Sequence, residues 1–301
     1  MRAYLPEYEA VSARSLVEAL TLLAQNPADA RGRWQPLAGG TDLMVLFGVG
    51  KLPAGRYLNL LGVGELHGID VTPSHVDLRA LSTYSDVRDH QVLQREFPSL
   101  VQAAIDSGAI AIQNRGTIGG NIANASPAAD TPPALLSYDA EIELVSLRGA
   151  RWLPYAEFHT GYKETKRAPD ELIARVRLPR LSSQDPERQQ FRHYYRKVGT
   201  RRAQAISKVC LAGTALAVGG QLVKPRLAFG SVAPMPLRCP RTEEVLAAGP
   251  LDAGRIQAAQ AMLSEEIRPI DDVRSSAAYR LRVAQNLLAD FVAAALTPRP
   301  A

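Results

Sequence analysis

The 301-residue chain reads as an α+β protein of two domains, and three observations carry that reading. Short strand patterns alternate with helical ones through the first 180 residues. The last third places strands first and helices after them. Two paired-glycine segments, Gly39-Gly40 and Gly119-Gly120, punctuate the first part. A chain of this length buries a sizeable core and is long enough for two domains.

The elements follow in order. Ser15-Leu16-Val17-Glu18 has the form of a capping box, and Leu16, Ala19, Leu20 and Leu23 recur at helical spacing. Trp34 to Leu37 is a short strand and Arg56 to Leu60 a second, so the first sixty residues form a small βαβ unit. Val76 to Ala80 alternates as a strand, and Thr83 caps the helix after it. Leu100 to Ile105 is a helix core that stops near Ser107-Gly108. Pro133 to Tyr138 is a short helix with proline in its first turn. Glu141 to Val145 and Leu172 to Leu178 are strands. The polar run 180–190 is a linker or hairpin between domains. Beyond it, Arg192 to Arg196, Cys210 to Val218 and Pro225 to Ser231 are strands. Helices are expected near Thr242 to Ala248 and Arg255 to Leu263, and a long amphipathic one from Ser276 to Leu296.

Bulk properties exclude several classes. The net charge of +5 suggests mild affinity for anions. The densest basic group, Arg196, Lys197, Arg201 and Arg202, lacks interleaved aromatics, so no nucleic-acid partner is expected. Two cysteines, Cys210 and Cys239, are too few for an iron–sulfur cluster, which takes about four thiolates. The five histidines show no metal spacing. No secretory segment or membrane span is expected, and a reduced cytoplasmic location is the default.

The segment Thr117-Ile118-Gly119-Gly120-Asn121-Ile122-Ala123-Asn124, followed by Ser126-Pro127 and Thr131-Pro132-Pro133, holds few side chains able to pack a core. Paired glycines let backbone N–H groups turn inward as an anion nest, and Asn, Ser and Thr add neutral donors. A pyrophosphate would satisfy such a set. Leu37-Ala38-Gly39-Gly40-Thr41-Asp42-Leu43 repeats the theme after a strand. It is neither a Walker loop nor the Gly-x-Gly-x-x-Gly fingerprint.

These two segments resemble the FAD-pyrophosphate loops of the flavin (medium) subunit of molybdenum hydroxylases, the xanthine dehydrogenase and carbon monoxide dehydrogenase flavoproteins. The similarity extends to Phe158-His159-Thr160-Gly161-Tyr162-Lys163-Glu164-Thr165 with Glu171-Leu172-Ile173, to Lys197-Val198-Gly199-Thr200-Arg201-Arg202-Ala203-Gln204-Ala205-Ile206, and to Asp272-Val273-Arg274-Ser275-Ser276-Ala277-Ala278-Tyr279-Arg280. It covers nearly the whole chain in order. The resemblance implies a two-subdomain FAD-binding domain of PCMH/VAO type over 1–180, with subdomains of about 1–62 and 63–180. A C-terminal α+β domain of carbon monoxide dehydrogenase flavoprotein type would follow over 188–298.

It also implies roles. Leu37 to Leu43 and Thr117, Ile118, Gly119, Gly120 and Asn121 would hold the pyrophosphate of non-covalent FAD, chiefly through the N–H groups of the four glycines and the hydroxyls of Thr41 and Thr117. Asn121 and Asn124 read as side-chain donors or turn formers. Asp130 would meet the ribityl or ribose hydroxyls, or cap the Pro132 helix, or both. Lys197 would lie near the isoalloxazine ring rather than in solvent. Gln204 stands where some members carry an acid facing the ring, which puts their redox tuning in doubt here. Leu172 and Ile173 pack beside the ring or in the core, and either Tyr194 or Tyr195 approaches it. The implied partners are a molybdenum-cofactor large subunit and a [2Fe-2S] small subunit in a dimer of heterotrimers, with electrons passing on to NAD+, a quinone, a cytochrome or oxygen. The Gly161-Tyr162-Lys163 version leans toward the xanthine dehydrogenase type. No catalytic acid–base pair or metal ligand is expected. Two rival classes are a self-contained VAO-type flavin oxidoreductase, which needs its own acid–base residue, and a flavin-free binding module.

Overall fold

The computed structural model describes residues 8–25, 32–181, 191–201 and 204–297. Most of the expected linker, from Ser182 to Gln190, lies outside the described residues, as do Arg202 and Ala203.

The first layer comprises β1 (Tyr8–Ser12), α1 (Leu16–Ala24), β2 (Trp34–Leu37), α2 (Leu43–Gly48) and β3 (Gly55–Asn59). Its three strands are parallel in the order β1-β3-β2. Ser15 caps α1 by accepting from the Glu18 N–H at 3.2 Å, and Ala19, Leu20 and Leu23 are buried as their spacing required. Strand β1 escaped the sequence reading because it is only five residues long and none of them is fully buried.

The second layer runs through β4 (Ile69–Val71), β5 (His75–Arg79) and six helices: α3 (Tyr84–Asp89), α4 (Gln91–Glu96), α5 (Pro98–Asp106), α6 (Ile110–Gln113), α7 (Ile118–Ala123) and α8 (Thr131–Ser137). Then come β6 (Glu141–Ser146), β7 (Gly149–Pro154), the small hairpin β8 (His159–Gly161) and β9 (Glu164–Thr165), and β10 (Leu172–Pro179). Five of these strands form an antiparallel sheet, β4-β5-β10-β6-β7. One face buries Val76, Leu78, Ile142, Leu144, Val176 and Leu178 in the core shared with the helices. The other face is laced with ion pairs, including Arg177–Asp77 at 2.9 Å and Arg175–Glu143 at 2.5 Å. Strand β10 serves two cores. A bulge between Ile173 and Arg175 lets Leu172 and Ala174 join the core of the first layer, while Val176 and Leu178 join the second.

The remaining residues form β11 (Phe191–Val198), β12 (Val209–Val218), β13 (Gln221–Gly230) and β14 (Leu237–Arg238), an antiparallel sheet in that order, then α9 (Pro240–Ala247), α10 (Ala253–Glu266) and α11 (Ala277–Leu296). Their core joins Leu211, Leu227 and Phe229 to Leu246, Leu263, Leu288 and Phe291. Ser276 caps α11, its side chain accepting from the Tyr279 N–H. The other side of this sheet sends Ala212 and Ala228 into the core of the second layer, and the Thr214 hydroxyl donates to Ser137 O at 2.8 Å. Both cysteines are buried free thiols.

Candidate functional site

A cleft of about 620 Å³ runs between the first layer and the glycine-bearing segments of the second. This is within the usual range for a small-molecule site. Ala38, Gly39, Gly40, Thr41, Asp42 and Leu43 line it together with Thr117, Gly119, Gly120, Asn121, Asn124 and Leu172. Packing explains why the two glycine segments meet. A Cβ on Gly39 would sit 1.8 Å from Arg115 O, so only glycine permits that contact. Arg115 Nε–H also donates to Gly39 O at 3.2 Å.

The first segment is an open receptor. The N–H groups of Gly39, Gly40, Thr41, Asp42 and Leu43 find no acceptor among the described residues. Five unpaired backbone donors on one cleft wall await acceptors from a ligand.

The second segment differs from its expected form. Residues 118–123 are the helix α7, capped by the Thr117 hydroxyl, which accepts from the Gly120 N–H at 3.1 Å. The Gly119 N–H donates to Ala80 O at 2.8 Å, and the Ile118 N–H to Ser82 O at 2.9 Å. The expectation that Gly119 and Gly120 supply free N–H groups is therefore corrected: both are spent on the fold. A Cβ on Gly119 would lie 2.6 Å from Ala80 Cβ, so this glycine is required for close packing. Ile118 is wholly buried and does not line the cleft; Leu37, at the end of β2, does not line it either.

Both asparagines line the cleft with their side-chain oxygens engaged. Asn124 Oδ1 accepts from Lys163 Nζ at 3.3 Å, and a lysine only donates, so the amide nitrogen is left over. Asn121 Oδ1 accepts from Thr131 Oγ1 at 2.5 Å. Neither amide nitrogen has an acceptor among the described residues.

Asp130 and Lys197 come together, but off this cleft. Lys197 Nζ donates to Asp130 Oδ2 at 2.7 Å and to Asp106 O at 2.8 Å, and its side chain is 6% exposed. Ser207 donates to Asp130 Oδ1 at 2.7 Å. Burial pushes the Asp130 carboxyl above the usual range, against the pull of Lys197. Asp130 occupies the residue before α8, yet its side chain makes no capping bond. The solvated-lysine alternative for Lys197 is excluded by its burial. The pair joins the second layer to β11 immediately behind Tyr84, a cleft residue whose hydroxyl is raised by burial and then by Asp130. Strand alternation separates the two tyrosines: Tyr194 packs on Phe291, while the Tyr195 hydroxyl donates to Asp130 O at 3.3 Å. Gln204 is exposed, at φ +52. Leu172 and Ile173 are both buried, as the core reading required, and both line the cleft.

Sequence reasoning passed over Arg115, Arg33, Tyr84 and Arg167. Arg115 sits two residues before Thr117, which was the available signal. The others reach the cleft through folding alone.

A cleft between a small parallel βαβ layer and the glycine-bearing segments of an antiparallel-sheet layer, rich in neutral donors, has the make-up of a nucleotide-cofactor site. Residues 6–181 match the family model for the FAD binding domain in molybdopterin dehydrogenase, and residues 193–295 match that for the CO dehydrogenase flavoprotein C-terminal domain. The chain belongs to this family of FAD-binding oxidoreductase flavoproteins. It is 29% identical to the xanthine dehydrogenase FAD-binding subunit of Escherichia coli O157:H7, over 94% of each chain. It is 30% identical to the glyceraldehyde dehydrogenase medium chain of Sulfolobus acidocaldarius, over 94% of this chain and 96% of the relative. Carbon monoxide dehydrogenase from Hydrogenophaga pseudoflava, in a form lacking the Mo-pyranopterin moiety of its cofactor, superposes with a TM-score of 0.88 at 26% identity. That match covers 96% of this chain and 97% of the other.

Proposed function

We propose that this chain is the FAD-carrying electron-transfer subunit of a molybdenum hydroxylase complex working in the cytoplasm. Electrons arrive from [2Fe-2S] clusters of a small partner subunit, and a large subunit with the molybdenum cofactor oxidises the substrate. The assembly is a dimer of heterotrimers. NAD+ or another acceptor takes the electrons, with the xanthine dehydrogenase type slightly favoured by Gly161-Tyr162-Lys163.

The observation that carries this reading is the run of five unpaired N–H donors from Gly39 to Leu43. The cleft fits the cofactor: neutral donors suit a pyrophosphate whose charge must be buried without excess cations, and the amide nitrogens of Asn121 and Asn124 add two more. Thr41 and Asp42 lie on the same wall. FAD supplies redox chemistry stable at one- and two-electron levels, which suits a junction between single-electron clusters and a two-electron acceptor. This chain's residues bind it, orient it and exclude water. Asp130 and Lys197 hold β11 against the second layer and thereby set the wall behind Tyr84.

The test is an absorption spectrum of the purified full chain, with the chromophore released by acid and identified. Bands near roughly 370 and 450 nm with free FAD are expected. A colourless protein that takes up no added FAD would end this reading. Co-purification with molybdenum and iron–sulfur subunits separates a relay subunit from a self-contained oxidase.

A further inference from the structure

We propose that Arg167 is the residue by which this chain recognises the adenosine half of its cofactor. The inference rests on the FAD reading above and assigns one end of the cleft.

Arg167 lies half-buried on the cleft wall. Its Nη1 donates to Ala168 O at 3.1 Å and to Glu171 O at 2.8 Å, both backbone carbonyls. The carboxylates nearby are taken. Glu171 accepts two bonds from Arg151, at 2.7 and 2.8 Å, and a third from the Ala168 N–H at 2.8 Å. Asp170 is held by Arg148. Arg167 thus has no ion pair among the described residues, and its Nε and Nη2 find no acceptor there. Burial pushes its pKa down even though Glu171 and Asp170 are close enough to raise it. A guanidinium on a cleft wall whose planar donors are left to solvent can exchange that water for the acceptors of a ligand.

Its surroundings select the kind of ligand. The neighbouring wall is Leu172 and Ile173, and Leu172 shares a core with Trp34, Leu60 and Leu66, all of which line the cleft. An apolar slot with one planar cation suits a flat, uncharged heteroaromatic ring carrying acceptor nitrogens, because guanidinium both donates in plane and stacks on aromatic faces. Both ring systems of FAD, adenine and isoalloxazine, have that chemistry, and position in the cleft decides between them. The slot lies toward the core of the first layer. The Asp130–Lys197 pair and Tyr195 instead mark the side facing β11, and none of the described residues from 191 onward lines the cleft. The redox ring must exchange electrons with partners, whereas the adenosine half has only to be held.

The experiment uses the flavin-stripped full chain. Affinities for FAD, ADP and FMN are measured by calorimetry or fluorescence for wild type, Arg167→Met and Arg167→Lys. Arg167→Met is expected to weaken FAD and ADP by the same factor, about tenfold or more, and to leave FMN unchanged. Arg167→Lys keeps a donor for the two carbonyls and hence the fold, but loses the planar fork, so ADP should again weaken. Unchanged ADP affinity in either folded variant, or equal losses for ADP and FMN, would overturn the assignment. Wild type that binds neither FAD nor ADP would instead overturn the FAD reading itself, and the assignment with it.

Discussion

The two glycine segments look alike in the sequence and do opposite things in the fold. Gly39-Gly40 sits in a loop whose next N–H groups all stay unpaired, so its backbone is available to a ligand. Gly119-Gly120 sits in a helix whose N–H groups are consumed by Ala80 O and the Thr117 hydroxyl. The first pair makes a receptor and the second makes a joint. A glycine pair therefore reports close approach, and only the neighbours decide whether backbone or ligand does the approaching.

The strongest way to break this contrast is steric. Gly39→Val drives a Cβ onto Arg115 O, and Gly119→Val drives one onto Ala80. Each should cost about 3 kcal/mol or more in chemical denaturation and lose FAD, since both joints hold the cleft together. A Gly119→Val protein of wild-type stability would show that the second pair is not a packing joint.

Acid should act next, and from the side of the second segment. Lys163, which orients Asn124, belongs to the hairpin begun by His159. Burial pushes His159 from the ordinary 6.5 down to about 4, with Tyr155 and Phe158 packed on its ring. The folded pKa lies below the unfolded one, so the neutral ring supports the fold fully above about pH 6.5. That support fades as pH falls toward 4, by about 3 kcal/mol. Denaturation midpoints measured across this window should fall for wild type and flatten in His159→Phe.

The mildest tests separate the two roles. Thr117→Val removes the cap of α7 and should cost about 1 kcal/mol, a drop of a few degrees in Tm, with little change in FAD affinity. Thr41→Val should leave Tm unchanged and weaken FAD several-fold, read by fluorescence titration. Equal effects of the two variants on both measurements would erase the distinction between receptor and joint.

Much of this was legible in the sequence because it is local. Caps at Ser15 and Thr83, the alternation in β5 and β6 and the apolar runs of β10 and β12 involve neighbours a few residues apart, and they appear where expected. Helix α7 was illegible because two glycines argue against a helix, and its support comes from Ala80 and Ser82 in another segment. Strand β7 was missed because Gly149, Ala150 and Arg151 are exposed and give no apolar alternation.

The residues alone determined the α+β class and the order of most elements, and their likeness to a known family pointed to the cofactor. Folding decided which donors of the glycine segments remain free. Lys197 reaches Asp106 and Asp130 across 91 and 67 residues, and Arg115 reaches Gly39 across 76. Arg167 loses the carboxylates beside it to Arg148 and Arg151. Such outcomes are competitions for partners among distant groups, and a donor's surplus exists only after every other group in the fold has been satisfied.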